Sequence, residues 1–131
     1  MRQMNEIVSF NNGVLHNDIT AMMKKMSFIP NYSGFNYIRE AVKMVVCFGD
    51  DVMCVSKSIY PEIAKRSGTS PAAVEVGMRK AITRAWKLAD DSSKLEIFGT
   101  YALHEGWMPT NSELIYVLVD RLRCKAMLEN E

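Results

Sequence analysis

Apolar residues recur along this chain at intervals of three and four, the period of helices that bury one face. The clearest run is Phe35, Ile38, Val42, Val45 and Val46, opened by Ser33 as a cap and stopped by Gly49-Asp50-Asp51. Before it, Ile19, Met22, Met23 and Met26 predict a helix capped by Asn17 or Asp18 and closed before Pro30. Asn11-Asn12-Gly13 marks a turn, and residues 1–17 are read as an N-terminal arm whose order the pattern leaves open. Towards the other end, Ser92 or Ser93 starts a short helix with Leu95, Ile97 and Phe98, ended by Gly99. Residues 100–109 read as a loop. Thr110 and Glu113 then have capping-box spacing ahead of the stripe Leu114, Ile115, Leu118, Val119 and Leu122. Arg121, Arg123 and Lys125 are placed in that helix's last turns, where cations suit the dipole. Strand-like alternation with hairpin turn pairs is absent. The predicted fold class is all-α, a compact bundle of about six helices over residues 18–131.

The middle of the chain predicts a helix-turn-helix. Pro61 lacks a backbone donor and is comfortable only in a first helical turn. The first helix of the pair therefore starts near Tyr60, with a bend rather than a gap after the segment Val52 to Ile59. Gly68 supplies the turn. Ser70-Pro71 is a cap followed by proline at the first position of a helix running to about Lys87. Val74, Met78, Ala81, Ile82 and Ala85 share one face of that helix and should pack on Ile59, Ile63 and Ala64. The opposite face presents Ala72, Ala73, Val76, Arg79, Lys80, Thr83 and Arg84.

Charge sharpens this picture. The whole chain carries +1. Residues 57–87 hold seven basic residues (Lys57, Lys65, Arg66, Arg79, Lys80, Arg84, Lys87) against Glu62 and Glu75, a local balance of +5. Concentrated cations favour nucleic acid, because neutralising phosphates releases counterions. The same pattern also suits an ordinary antiparallel helix pair with solvated cations. If the unit binds double-stranded DNA, the base-facing residues are Ala72, Ala73, Glu75, Val76, Arg79, Lys80 and Thr83. The phosphate-contacting set is then Lys57, Lys65, Arg66, Ser70, Arg84 and Lys87.

Other chemistry is sparse. The 131 residues, 48% hydrophobic and 24% charged, suit one globular domain. No apolar run reaches the ~18–20 residues of a membrane span, and Asn5 and Glu6 interrupt any signal-peptide core. A cytosolic protein with no membrane association is expected. Cys47, Cys54 and Cys124 show no zinc or disulfide spacing, and Cys47 and Cys54 read as small buried hydrophobes. Cys47 and Cys54, seven apart, would share a face within one helix. His16 and His104 have no third partner at metal-ligand spacing, and Asp50-Asp51 reads as a helix-terminating turn. With no phosphate loop, nucleophile elbow or acid pair in an apolar context, neither an enzyme nor a cofactor is expected.

From about Ile19 to Leu122 the sequence resembles the C-terminal DNA-binding domain of the stage zero sporulation protein A family of master regulators. The resemblance is carried by Tyr37-Ile38-Arg39-Glu40-Ala41, Tyr60-Pro61, Ile63-Ala64-Lys65 and Val74-Glu75. It continues through Arg79, Ala81-Ile82, Ala85-Trp86, Phe98-Gly99 and Pro109-Thr110-Asn111-Ser112-Glu113. It implies a six-helix fold from spore-forming Firmicutes whose third and fourth helices form the helix-turn-helix. It also implies tandem, dimer-like binding to short DNA boxes, and contact with RNA polymerase sigma factor through about 92–108. Trp86 is then a core residue. Trp107 stands where the family has a smaller residue, as a lid on the core or an exposed partner contact.

Two departures bear on function. Family members carry a phosphorylated receiver domain, and only about eighteen residues precede the resemblance here. The expectation is a standalone effector, not switched by its own aspartyl phosphate. Moreover, the family pattern has arginines at the positions of Ala73 and Val76 and histidine at that of Lys80. Two bidentate arginine–guanine contacts supply roughly 2–6 kcal/mol of discrimination if additive, comparable to the ~4–10 kcal/mol separating specific from non-specific binding. Three readings follow: DNA binding at a more A·T-leaning site, weak binding dominated by the backbone, or a protein-interaction module without DNA readout. Altered or weakened base readout on duplex DNA is the favoured one.

Overall fold

The computed structural model describes residues 12–30, 32–48 and 54–129. Six α-helices follow one another there: α1 Asn12–Lys25, α2 Ser33–Phe48, α3 Tyr60–Ser67, α4 Pro71–Leu88, α5 Asp91–Phe98 and α6 Asn111–Glu129. A π-helical turn, Val55–Ile59, leads into α3, and a 3-10 turn, Gly99–Leu103, follows α5. The described residues contain no strand, in keeping with the expected all-α bundle.

Helix α2 is the axle. Its buried residues Phe35, Ile38, Ala41, Val42, Met44, Val45 and Val46 cover more than one face, so α1, α4 and α6 can all pack on it. The approach to α4 is set by two glycines. A Cβ on Gly34 would lie 2.1 Å from the carbonyl oxygen of Gly77, and one on Gly77 would lie 3.0 Å from the Tyr37 ring. Only a side chain of hydrogen lets these two backbones come so close. The crossing buries one face of α4 and leaves the other to solvent.

Several boundaries differ from the sequence expectations. Helix α1 starts at Asn12, well before the caps expected at Asn17 or Asp18, so 12–17 of the expected arm is helix. The reason is Leu15, buried with Ile19 and Met23 as the first member of the same i, i+4 stripe. Residues 1–11 lie outside the described residues, as do Gly49, Asp50 and Asp51. Helix α5 is capped by Asp90 rather than Ser92 or Ser93: its carboxylate accepts the Ser93 N–H at 2.8 Å. That hydrogen bond to the charged form holds the Asp90 carboxyl below its usual range. The expected 100–109 loop begins as the 3-10 turn.

Helix α6 opens with the predicted capping box, Thr110 N–H donating to Glu113 at 2.8 Å and Glu113 N–H to the Thr110 hydroxyl at 3.1 Å. It runs on to Glu129, so Arg121, Arg123 and Lys125 are not at its end. Lys125 instead donates to Asp18 at 2.9 Å, joining α6 to α1, and Arg121 lies 3.7 Å from Glu96 of α5. The cysteine expectation also fails: Cys54 lies outside α2 and is exposed, and Cys47 is half-buried; Cys124 is exposed as well.

Candidate nucleic-acid interface

The helix-turn-helix is built by local rules that can be followed residue by residue. The π-helical turn feeds into α3 without a break, because Ser58 and Ile59 N–H both donate to the Cys54 carbonyl, at 2.8 and 3.1 Å. Pro61 then occupies the first turn of α3, where no donor is needed. Gly68 ends α3 in the left-handed region at φ 68°, and the Thr69 N–H closes on the Ala64 carbonyl at 2.9 Å. Ser70 is extended, and its hydroxyl accepts the Ala73 N–H at 3.1 Å. With Pro71 following, α4 begins at a fixed point and in a fixed direction.

Packing then turns the helix. Val74, Met78, Ala81, Ile82 and Ala85 are buried, as are Ile59, Ile63 and Ala64 opposite them. Ala72, Ala73, Arg79, Lys80 and Arg84 are exposed, while Glu75, Val76 and Thr83 are half-buried. Arg79, Lys80, Thr83, Arg84 and Lys87 are brought together along one open groove of about 440 Å³. Lys80 and Arg84 also border a second cleft with Tyr32, Ser33 and Gly34 at the start of α2. Lys57, Lys65 and Arg66 are not part of either groove; all three are exposed on the π-helical turn and α3.

The cations are not equally free. Arg79 pairs with Glu75 one turn back, and Arg66 pairs with Glu62 at 2.9 Å and lies 3.9 Å from Glu40. The Arg84 guanidinium sits 4.8 Å above the Tyr32 ring. Lys57, Lys65, Lys80 and Lys87 have no ion-pair partner among the described residues. The two arginine pairs are solvent-exposed, and such pairs are worth only about 0–1 kcal/mol. They set where the two guanidinium groups lie on the surface and add little to stability.

Asn111 escaped the sequence reading. It is the buried polar residue of the core, 8% exposed, and its side-chain amide donates to the Tyr60 hydroxyl at 2.9 Å and to the Glu75 carbonyl at 3.0 Å. One amide thus ties the start of α6 to the start of α3 and to the first turns of α4. Burial pushes the Tyr60 hydroxyl up from its ordinary pKa. The available signal was the capping box beside it, which fixes Asn111 at the first position of a helix whose N-terminus meets the motif.

Trp86, Phe98 and Trp107 form a cluster with ring centroids 5.4–5.5 Å apart, all edge to face. Trp107 therefore acts as a lid over half-buried Trp86. His16 lies on α1, where burial and then Arg39 and Lys43 lower its pKa; His104 stacks near Tyr101 at 5.8 Å. Among the described residues no His, Cys, Asp and Glu side chains cluster at metal-binding distance, and no helix is long and apolar enough to cross a membrane.

The sequence that folds in this way has a counterpart among known families. The family described as "Sporulation initiation factor Spo0A C terminal" matches residues 19–122, most of the chain and all of the motif. The chain belongs to this family and carries its DNA-binding transcription-regulator domain.

Proposed function

We propose that this chain regulates transcription by laying α4 in the major groove of duplex DNA, with a base readout altered from the family's. The observation that carries the reading is the outer face of α4, where Arg79, Lys80, Arg84 and Lys87 share one open groove beyond a rigidly capped turn. In helix-turn-helix geometry the first turns of such a helix reach base edges. Ala72, Ala73, Glu75, Val76, Arg79, Lys80 and Thr83 would then face the bases. Lys57, Lys65, Arg66, Ser70, Arg84 and Lys87 would hold the phosphates, with the three lysines, which have no ion-pair partner among the described residues, needing no prior release. Exposed Ala73 and half-buried Val76 stand where the family pattern reads guanine, which supports a changed target site. Two copies on adjacent boxes belong to the same proposal.

Titrating labelled genomic fragments at two salt concentrations tests it. Binding should be tighter at low salt and should weaken in Arg79→Ala with Lys80→Ala. No binding at low salt, or binding indifferent to both substitutions, would sink it.

A second reading concerns partners. Leu95, Tyr101 and Leu103 are exposed around α5 and the 3-10 turn. Tyr101 also lines, with Ile97, Phe98 and Trp107, a groove of about 760 Å³ whose other wall is Glu113, Tyr116, Val117, Asp120 and Arg121 of α6. The exposed apolar residues within 92–108 support contact with RNA polymerase sigma factor there. Pull-down of sigma factor without DNA, lost in Leu95→Ala with Tyr101→Ala, is the expected result; capture unaffected by them would rule this surface out.

A further inference from the structure

We propose that the first turns of α4 select thymine through its C5 methyl group, with Ala72, Ala73 and Val76 as the specificity-determining surface. The inference rests on the DNA-binding reading and deepens it. At about 100° per residue, Ala72, Val76, Arg79 and Thr83 run down the middle of the outward face of α4, with Ala73 and Lys80 on one flank and Glu75 on the other. The face is divided along its length. Its first two turns offer the methyl groups of Ala72, Ala73 and Val76 with Glu75 at the edge, and the turns that follow offer Arg79, Lys80, Arg84 and Lys87.

This division decides what each part can recognise. Ala72, Ala73 and Val76 have no side-chain donor or acceptor, so they cannot make the paired hydrogen bonds that identify guanine or adenine. The thymine methyl is the one apolar group that bases display in the major groove, and alanine-type side chains contact it. Placement favours the same conclusion, because the N-terminal turns reach deepest in this geometry while later turns meet the backbone. The flanking acid does not spoil the patch. Glu75 is engaged by Arg79, so its carboxylate is not left unpaired next to phosphate. The patch is also held still: Ser70 caps the turn beneath Ala73, and Asn111 grips the Glu75 carbonyl. A rigid apolar surface discriminates a methyl group better than a mobile one, since less freedom is lost on contact.

The test starts from duplexes selected out of random DNA. Each thymine of the preferred site is replaced in turn by uracil, which pairs identically and lacks only the methyl. Burying one methyl-sized group corresponds to about a fourfold change in affinity. Uracil should therefore weaken binding about fourfold at each of a few adjacent positions. Val76→Ala, which withdraws both branch methyls, should reduce that penalty at one of them, while Val76→Thr, which keeps one branch methyl, should retain more of it. Tight binding with uracil tolerated at every position would overturn the thymine inference and leave DNA binding standing. Failure to bind any duplex at low salt would overturn both.

Discussion

Asn111 shows how much a single buried amide can organise. Its two hydrogen bonds reach residues 51 and 36 positions away, Tyr60 and Glu75. Removing a buried partner strands the other group, at a cost of about 1–3 kcal/mol. Asn111→Ala should lose that much in urea denaturation, whereas Tyr60→Phe, which deletes the acceptor alone, should lose less. The double substitution should fall short of the sum, because both remove one shared bond. A strictly additive result would mean that the two side chains do not interact. Gly34 is the other residue whose identity is dictated by distance. A methyl group 2.1 Å from the Gly77 carbonyl cannot be accommodated without moving α2 from α4. Gly34→Ala should therefore destabilise by about 1–3 kcal/mol and, by shifting α4, weaken DNA binding as well. An unchanged midpoint would show that the crossing is looser than its geometry implies.

At the level of elements, the parts of the sequence with dedicated backbone chemistry were legible, and the parts without it were not. Pro61 and Pro71 have a fixed φ, Gly68 takes the left-handed turn without strain and Ser70 is a good cap, so the motif's start, turn and second start could be placed from sequence alone. The start of α1 could not. Asn17 and Asp18 are good caps, but burial of Leu15 outweighs a cap's contribution and extends the helix past them. At α5 four residues in a row, Asp90, Asp91, Ser92 and Ser93, could all cap, and tertiary position chose the first. The outward set on α4 followed from periodicity, yet the pairing of Arg79 with Glu75, the Arg84–Tyr32 contact and the role of Asn111 depend on three-dimensional neighbours. Two expected outcomes belong to this scale. Ser70→Ala should cost about 0.5–2 kcal/mol by freeing the Ala73 N–H, seen as a lower thermal midpoint. The Asp90 cap makes a pH prediction. Its folded pKa lies below the unfolded value, so its stabilisation is full above the ordinary carboxylate range and is lost as pH falls through the folded value. Asp90→Asn keeps an acceptor that does not titrate, and should flatten that part of the acid-side stability curve; an unaltered curve would show that the cap contributes nothing measurable.

The whole molecule separates its functions by surface. Residues 57–87 carry +5, residues 1–56 balance at zero, and residues 88–131 carry four basic against eight acidic residues, so the positive charge is concentrated on one unit and the net negative charge on the C-terminal segment. On the proposed reading, that asymmetry would orient the chain on approach to DNA and leave exposed Leu95, Tyr101 and Leu103 facing away from it. The core beneath serves both surfaces, because α2 carries α4 on one side and α6 on another. The central claim is that α4 contacts duplex DNA through its cationic groove. It is tested most directly by the slope of log affinity against log salt, for the unaltered chain and for Arg84→Ala with Lys87→Ala. Each phosphate contact contributes about 0.9 to that slope, so the double variant should be shallower by nearly two, with weaker binding at every salt concentration. An identical slope and affinity in the two proteins would contradict the account.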